Sequence, residues 1–182
     1  MKIKSLFLAM ALIGFGSQNA FAAEGRLNFI GEVVNSSCEL ANGSNGIITV
    51  AMGKIPVTKL AADGQGPEVG VHIDVTGCEK GTYYLVLDGT SVTESIIPNL
   101  LALTDAGTEG IAKNVGIRLT DLTDKDIVLD QPLDKTADPR IDFGEDEQDQ
   151  TKRFELKARY VTWGNPVPGT ADATARFTIV QY

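Results

Sequence analysis

Histidine and tryptophan each occur once in the 182 residues, and cysteine occurs twice. Two thiols and one imidazole cannot complete a four-ligand zinc site. No Gly-x-Ser-x-Gly elbow is present, so a Ser–His–Asp site at His72 would lack its usual frame. Basic residues are scarce, 16 against 24 acidic ones, for a net charge of −8. That balance excludes the basic footprint needed to hold nucleic acid or an anionic membrane. Past residue 22, no segment approaches about 18 continuous apolar residues, so no membrane anchor is expected. A sustained 3.6-residue period is also missing; 95–103, interrupted by Pro98, holds a turn or so of helix at most.

The first 22 residues are organised differently. Lys2 and Lys4 precede an apolar stretch from Leu6 to Gly16, and Ala20-Phe21-Ala22 forms an A-x-A cleavage site. Residues 1–22 therefore read as a bacterial signal peptide, with the mature chain starting at Ala23. Loss of both lysines leaves 14 basic against 24 acidic residues, a net charge of −10. In an exported chain, the even count points to a Cys38–Cys78 disulfide, with a free thiol pair as the alternative. Closing that loop stabilises the fold by about 4 kcal/mol in the chain-entropy model.

Strand signals run through the rest. Ile48, Val50 and Met52 alternate after the Asn45-Gly46 turn. Val69, Val71, Ile73 and Val75 alternate ahead of Gly77-Cys78, and Tyr83, Leu85 and Leu87 follow. Val115, Ile117 and Leu119 form another set, then Ile127–Leu129, then Phe154, Leu156, Ala158 and Tyr160. Each run is short and bounded by turn-forming residues, which predicts an antiparallel sandwich of immunoglobulin-like type. Trp163 lies outside the Cys38–Cys78 span, so the antibody-type core is not expected.

The two ends are the most informative. Leu27, Phe29, Gly31 and Val33 share one face at period two. A strand so near the start of the mature chain detaches easily and can pair with a neighbour. The segment 174–182 reads as a strand to the last residue. Strands exposed at both termini suit chain-to-chain assembly better than catalysis.

At this point the residues resemble the pilins assembled by the chaperone–usher pathway. The matching pieces are Gly31-Glu32-Val33-Val34-Asn35-Ser36-Ser37-Cys38, Val71-His72-Ile73-Asp74-Val75-Thr76-Gly77-Cys78, and 171–182. The resemblance implies an incomplete immunoglobulin-like antiparallel β-sandwich lacking its last strand, completed by a donor strand from a neighbouring subunit. It implies a division into a signal peptide (1–22), a donor extension (23–34) and a pilin domain (35–182). The donor strand would carry Gly25, Leu27, Phe29, Gly31 and Val33. Three of these, Leu27, Phe29 and Val33, would be plugs worth roughly 5–8 kcal/mol before ordering costs. Gly31 would sit where the groove is too shallow for a side chain.

The same resemblance assigns a groove and chaperone strand containing Gly169, Phe177, Ile179 and Tyr182. Gly169 stands 14 residues from the end, as in the family, but Tyr182 departs from the pattern. It is last, five residues after Phe177, and so falls on the opposite strand face. Either a bulge restores the phase or Tyr182 has another role. The implied partners are neighbouring pilin subunits, a periplasmic chaperone that holds the terminal carboxylate, and an outer-membrane usher. The chain would pass through the periplasm to a surface fimbrium, which alone would meet a host receptor. No cofactor, metal or catalytic residue is implied.

Two other readings compete. A one-domain receptor-binding minor or tip subunit would use surface loops, since too few residues precede Cys38 for a separate lectin domain. A small periplasmic enzyme has no supporting constellation. Asp121, Asp124, Asp126 and Asp130 lack calcium-loop spacing. The run 64–70 lacks phosphate-loop spacing and carries Pro67. The acidic 145–149 stretch reads as a solvated loop, with a role of its charge between packed subunits as the alternative.

Overall fold

The computed structural model describes residues 38–136 and 139–182. Chain order is β1 (Glu39–Leu40), α1 (Val57–Asp63), β2 (Val69–Thr76), β3 (Gly81–Asp88), β4 (Leu100–Leu101), β5 (Lys113–Thr120), β6 (Arg140–Phe143), β7 (Lys152–Val167) and β8 (Arg176–Gln181). They form two antiparallel sheets, one in the order β1-β2-β7-β5-β4 and the other β6-β3-β8. The alternating runs thus give the sandwich that the pattern predicts.

The long β7 is the keel of the larger sheet. Its first half pairs with β2, setting Phe154 opposite Ile73 and Leu156 opposite Val71. Its second half pairs with β5, setting Tyr160 opposite Ile117. Phe154, Leu156, Ala158 and Tyr160 are buried at period two, while Glu155, Lys157 and Arg159 point the other way. The core lies between these side chains and Leu85 and Leu87 of β3, with Tyr83 edge-on to Phe143 at 5.6 Å.

The outer face of the larger sheet is ionic. Arg153 donates to Asp74 at 2.9 Å, and Arg118 pairs with Asp126. Lys157 and Arg159 both reach Glu68 and Asp124. His72, on the same face, is exposed opposite Glu155. The 121–130 aspartates are occupied by this network or by their own turn: Asp121 accepts from the Thr123 and Lys125 amides, and Asp130 from the Gly89 amide.

Four departures from the sequence reading have physical causes. Helix α1 was not expected because only Leu60 of its seven residues is buried, too few to leave a period. Its C-cap is Gly64, at φ 72°, whose amide donates to Leu60. Strand β6 is four residues long and only its last, Phe143, is buried. Ile127–Leu129 forms no strand, yet Ile127 and Leu129 are buried, so its apolar run serves loop packing. Finally, Ile48–Met52 alternates as predicted but belongs to no ladder among the described residues.

Candidate functional site: an open groove along β8

That unpaired segment forms one wall of the main concavity. Residues 46–53 run along one side and 171–177 along the other, enclosing about 960 Å³. The floor is apolar, built from Ile73, Leu87, Leu101, Ile117, Leu156 and Tyr160. Its wall of seven residues, 171–177, corresponds to about 23 Å of extended chain. Its shape therefore suits a strand rather than a compact small molecule.

Both walls follow a period-two rule. Ala171, Ala173, Ala175, Phe177 and Ile179 pack inward against the core, while Asp172, Thr174, Arg176 and Thr178 are exposed. Three alanines in register keep that wall thin, which gives the groove its depth. Opposite them, Ile48 and Met52 pack on the core and Thr49 and Ala51 face outward. Strand β8 pairs with β3 on one side and ends its sheet on the other. Among the described residues, no backbone hydrogen bond joins 48–53 to another segment. Two unpaired edges over an apolar floor can receive an extended apolar segment, with backbone bonds along its length and side chains into alternate pockets.

Local details hold the frame. Cys38 and Cys78 form the expected disulfide, with Cα atoms 4.3 Å apart, beside the β1–β2 pairing. Asn42 extends that seam, donating to the His72 carbonyl and accepting from the Asp74 amide, both at 2.8 Å. At the other end, a Cβ on Gly169 would lie 2.5 Å from the Ala112 nitrogen, so close backbone approach demands glycine there. The Tyr160 hydroxyl donates to the Ala171 carbonyl at 3.0 Å, and burial together with Asp172 pushes its pKa up.

The predicted site residues are distributed as follows. Phe177 and Ile179 lie on the inward face of β8, and Gly169 lies just before the groove wall. Tyr182 is outside the groove: it is 74% exposed, its amide bonds to Thr82, and Lys135 sits over its ring. The β3–β8 register runs unbroken from Arg176 to Gln181, so no bulge restores its phase. Gly25, Leu27, Phe29, Gly31 and Val33 lie outside the described residues. From sequence, 48–52 reads as a strand and 171–182 as a terminal piece, but neither the 46–53 wall nor the three alanines are assigned there to a site.

The site is thus an immunoglobulin-like sandwich stapled at one end whose β8 edge carries no partner strand among the described residues. The comparisons then specify the class. A family model described as fimbrial protein matches residues 27–182, and the chain belongs to this family. It is 31% identical to the type-1 fimbrial protein A chain of Escherichia coli K12, with 100% of both chains covered. It is 30% identical to the type-1 fimbrial protein subunit of Serratia marcescens, covering 98% of each. In fold it is similar to the P pilus rod subunit PapA, with TM-score 0.60, 14% identity, and 80% of this chain and 99% of that one covered. A subunit of a chaperone–usher pilus gives TM-score 0.61 at 16% identity, with 88% and 96% covered. The protein is a non-enzymatic structural subunit of a cell-surface fimbrium and associates with other pilus subunits.

Proposed function

We propose that the groove is filled in the polymer by residues 25–33 of a neighbouring copy. The observation that carries this reading is the pair of edges, β8 and 48–53, left unpaired among the described residues over an apolar floor. Leu27, Phe29 and Val33 would fill alternate pockets, and Gly31 would cross the shallowest point. The binding mode is β-augmentation, of which donor-strand complementation in pili is an established example. Residues 1–22 direct export and are removed. In the periplasm a chaperone strand occupies the groove first and basic chaperone residues hold the Tyr182 carboxylate. At the outer-membrane usher the next subunit's 25–33 replaces the chaperone strand. Tyr182 itself serves outside the groove, as its exposure supports.

The test is the melting temperature of the periplasmic form lacking residues 23–34, with and without a synthetic peptide of those residues. The expected result is a large rise with the peptide and none with its Gly31→Leu version. A domain indifferent to the native peptide would sink the reading.

A further inference from the structure

Two Asn-Gly pairs, Asn42-Gly43 and Asn45-Gly46, follow β1 and lead into the groove wall. They share one chemistry: the amide nitrogen of a glycine, unshielded by any side chain, closes readily on the Cγ of the asparagine before it. The fold treats them differently. Asn42 is half-buried and uses both ends of its side-chain amide, donating to the His72 carbonyl and accepting from the Asp74 amide, both at 2.8 Å. Asn45 is exposed, and its side chain has no hydrogen bond among the described residues. Gly46 is exposed as well. Its amide donates to no backbone group among the described residues, and an added Cβ there would meet nothing within 4 Å. Asn45 and Gly46 have φ of 51° and 75°, the signs of a type I′ turn. The Ser44 and Ile47 amides and carbonyls close that turn at 3.0 and 2.9 Å, as an isolated bridge outside both sheets. A single bridge with no sheet behind it opens locally at small cost. Opening frees the backbone to bring the Gly46 nitrogen onto the Asn45 Cγ.

We propose that Asn45 is a self-modification site at the rim of the groove, with water as its one co-reactant. The Gly46 amide loses its proton to solvent and its nitrogen bonds to the Asn45 Cγ. The bond from Cγ to the side-chain nitrogen breaks and ammonia leaves, which closes a five-membered succinimide. Water then adds to one of the two ring carbonyls, that carbon releases the Gly46 nitrogen, and the nitrogen regains a proton. Attack at Cγ leaves an ordinary aspartate. Attack at the main-chain carbonyl leaves a β-aspartyl link, with one more atom in the backbone and a carboxylate on Cα. Gly46 and Ile47 line the groove, so a longer link at 45 displaces that wall, whereas an aspartate adds charge and keeps the turn. Subunits that wait unassembled thus gather a change at the place where a strand would enter. This effect on strand capture rests on the donor-strand reading; the modification itself does not.

The experiment incubates the full chain in heavy-oxygen water at mildly alkaline pH and follows residues 42 and 45 by tandem mass spectrometry. Heavy oxygen and a β-aspartyl link are expected at 45, at least about tenfold faster than at 42, because Asn42 must first give up two hydrogen bonds. In urea both pairs are equally free, and the two rates are expected to converge. Asn45→Gly keeps a sequence suited to the same two-residue turn and is expected to gain no label at 45. Binding of the 23–34 peptide, sampled along the incubation, is expected to fall with β-aspartyl content in the wild type and to hold steady in Asn45→Gly. Equal rates at 42 and 45 in the folded chain overturn the site, as does a difference that urea leaves unchanged. Peptide binding that ignores β-aspartyl content overturns the effect on the groove. Failure of the peptide to bind even fresh wild type overturns the donor-strand reading and that effect together, while the labelling still decides the site.

Discussion

The two sheets of this subunit treat their edges in opposite ways. In the larger sheet, β7 pairs with β2 along its first half and with β5 along its second, and the edge at β1 is fastened by the disulfide and by Asn42. In the smaller sheet, β8 has no second ladder partner among the described residues, and the 46–53 segment lines the same groove. One chain thus separates permanent structure from exchangeable structure. Permanence comes from covalent closure and complete ladders. Exchange needs backbone groups left unpaired, over a floor already apolar enough to hold whatever arrives. Such an edge is an aggregation hazard in an ordinary domain. In the proposed assembly the same edge receives the neighbouring copy's strand.

The sharpest way to break that contrast is to remove the staple. Cys38→Ser with Cys78→Ser should lower unfolding stability by about 4 kcal/mol, measured by urea denaturation. A loss below about 1 kcal/mol would mean that the ladders alone secure β1. Next comes Gly169→Ala. Its Cβ would lie 2.5 Å from backbone atoms at 111–112. Overpacking against backbone should cost about 2 kcal/mol of folding stability. An unchanged melting temperature would show that this closed end yields more readily than its geometry implies.

On the open side the same kind of bulk should act differently. Ala173→Leu thickens the groove wall, where no strand is paired among the described residues. We expect the melting temperature of the empty domain to stay nearly constant and affinity for the 23–34 peptide to fall about tenfold, or 1.4 kcal/mol. Isothermal titration alongside thermal melts separates the two. If folding suffers and binding does not, Ala173 belongs to the core and the division between sheets is misplaced.

Much of this division is legible in the residues. Period-two runs of apolar residues identify β2, β3, β5 and β7 because their large apolar side chains alternate toward the core, and the two cysteines mark the staple. Other features lack such a signature. Helix α1 buries one leucine, and β6 buries one phenylalanine, so neither leaves a period to read. Residues 48–52 carry a strand pattern because one face packs on the core, but the pattern cannot say whether a ladder partner exists. That absence creates the groove, and it is set by strand order, a tertiary property. The phase of Tyr182, in contrast, was readable: an odd offset from Phe177 in an unbroken strand puts it outside.

The smallest effect tests whether the ionic outer face of the larger sheet adds to its permanence. Arg153 beside Asp74, mainly through its hydrogen bonds, holds the carboxyl below the usual carboxylate range, against a smaller opposing effect of burial. A carboxylate whose pKa is depressed by folding binds its proton more readily in the unfolded chain. Its stabilisation is therefore complete above the unfolded value of about 3.9 and is lost as pH falls through the lower folded value. Arg153 is 46% exposed, so solvent screens the pair and its contribution is small. Asp74→Asn should lower the melting temperature slightly at pH 7, and the gap to wild type should close toward pH 2. Added salt should narrow it as well. A gap constant across that range would assign the loss to the Asn42 seam on the same residue's backbone rather than to the charge. The larger sheet would then owe its permanence to ladders and the disulfide, with the ionic face serving to keep it soluble.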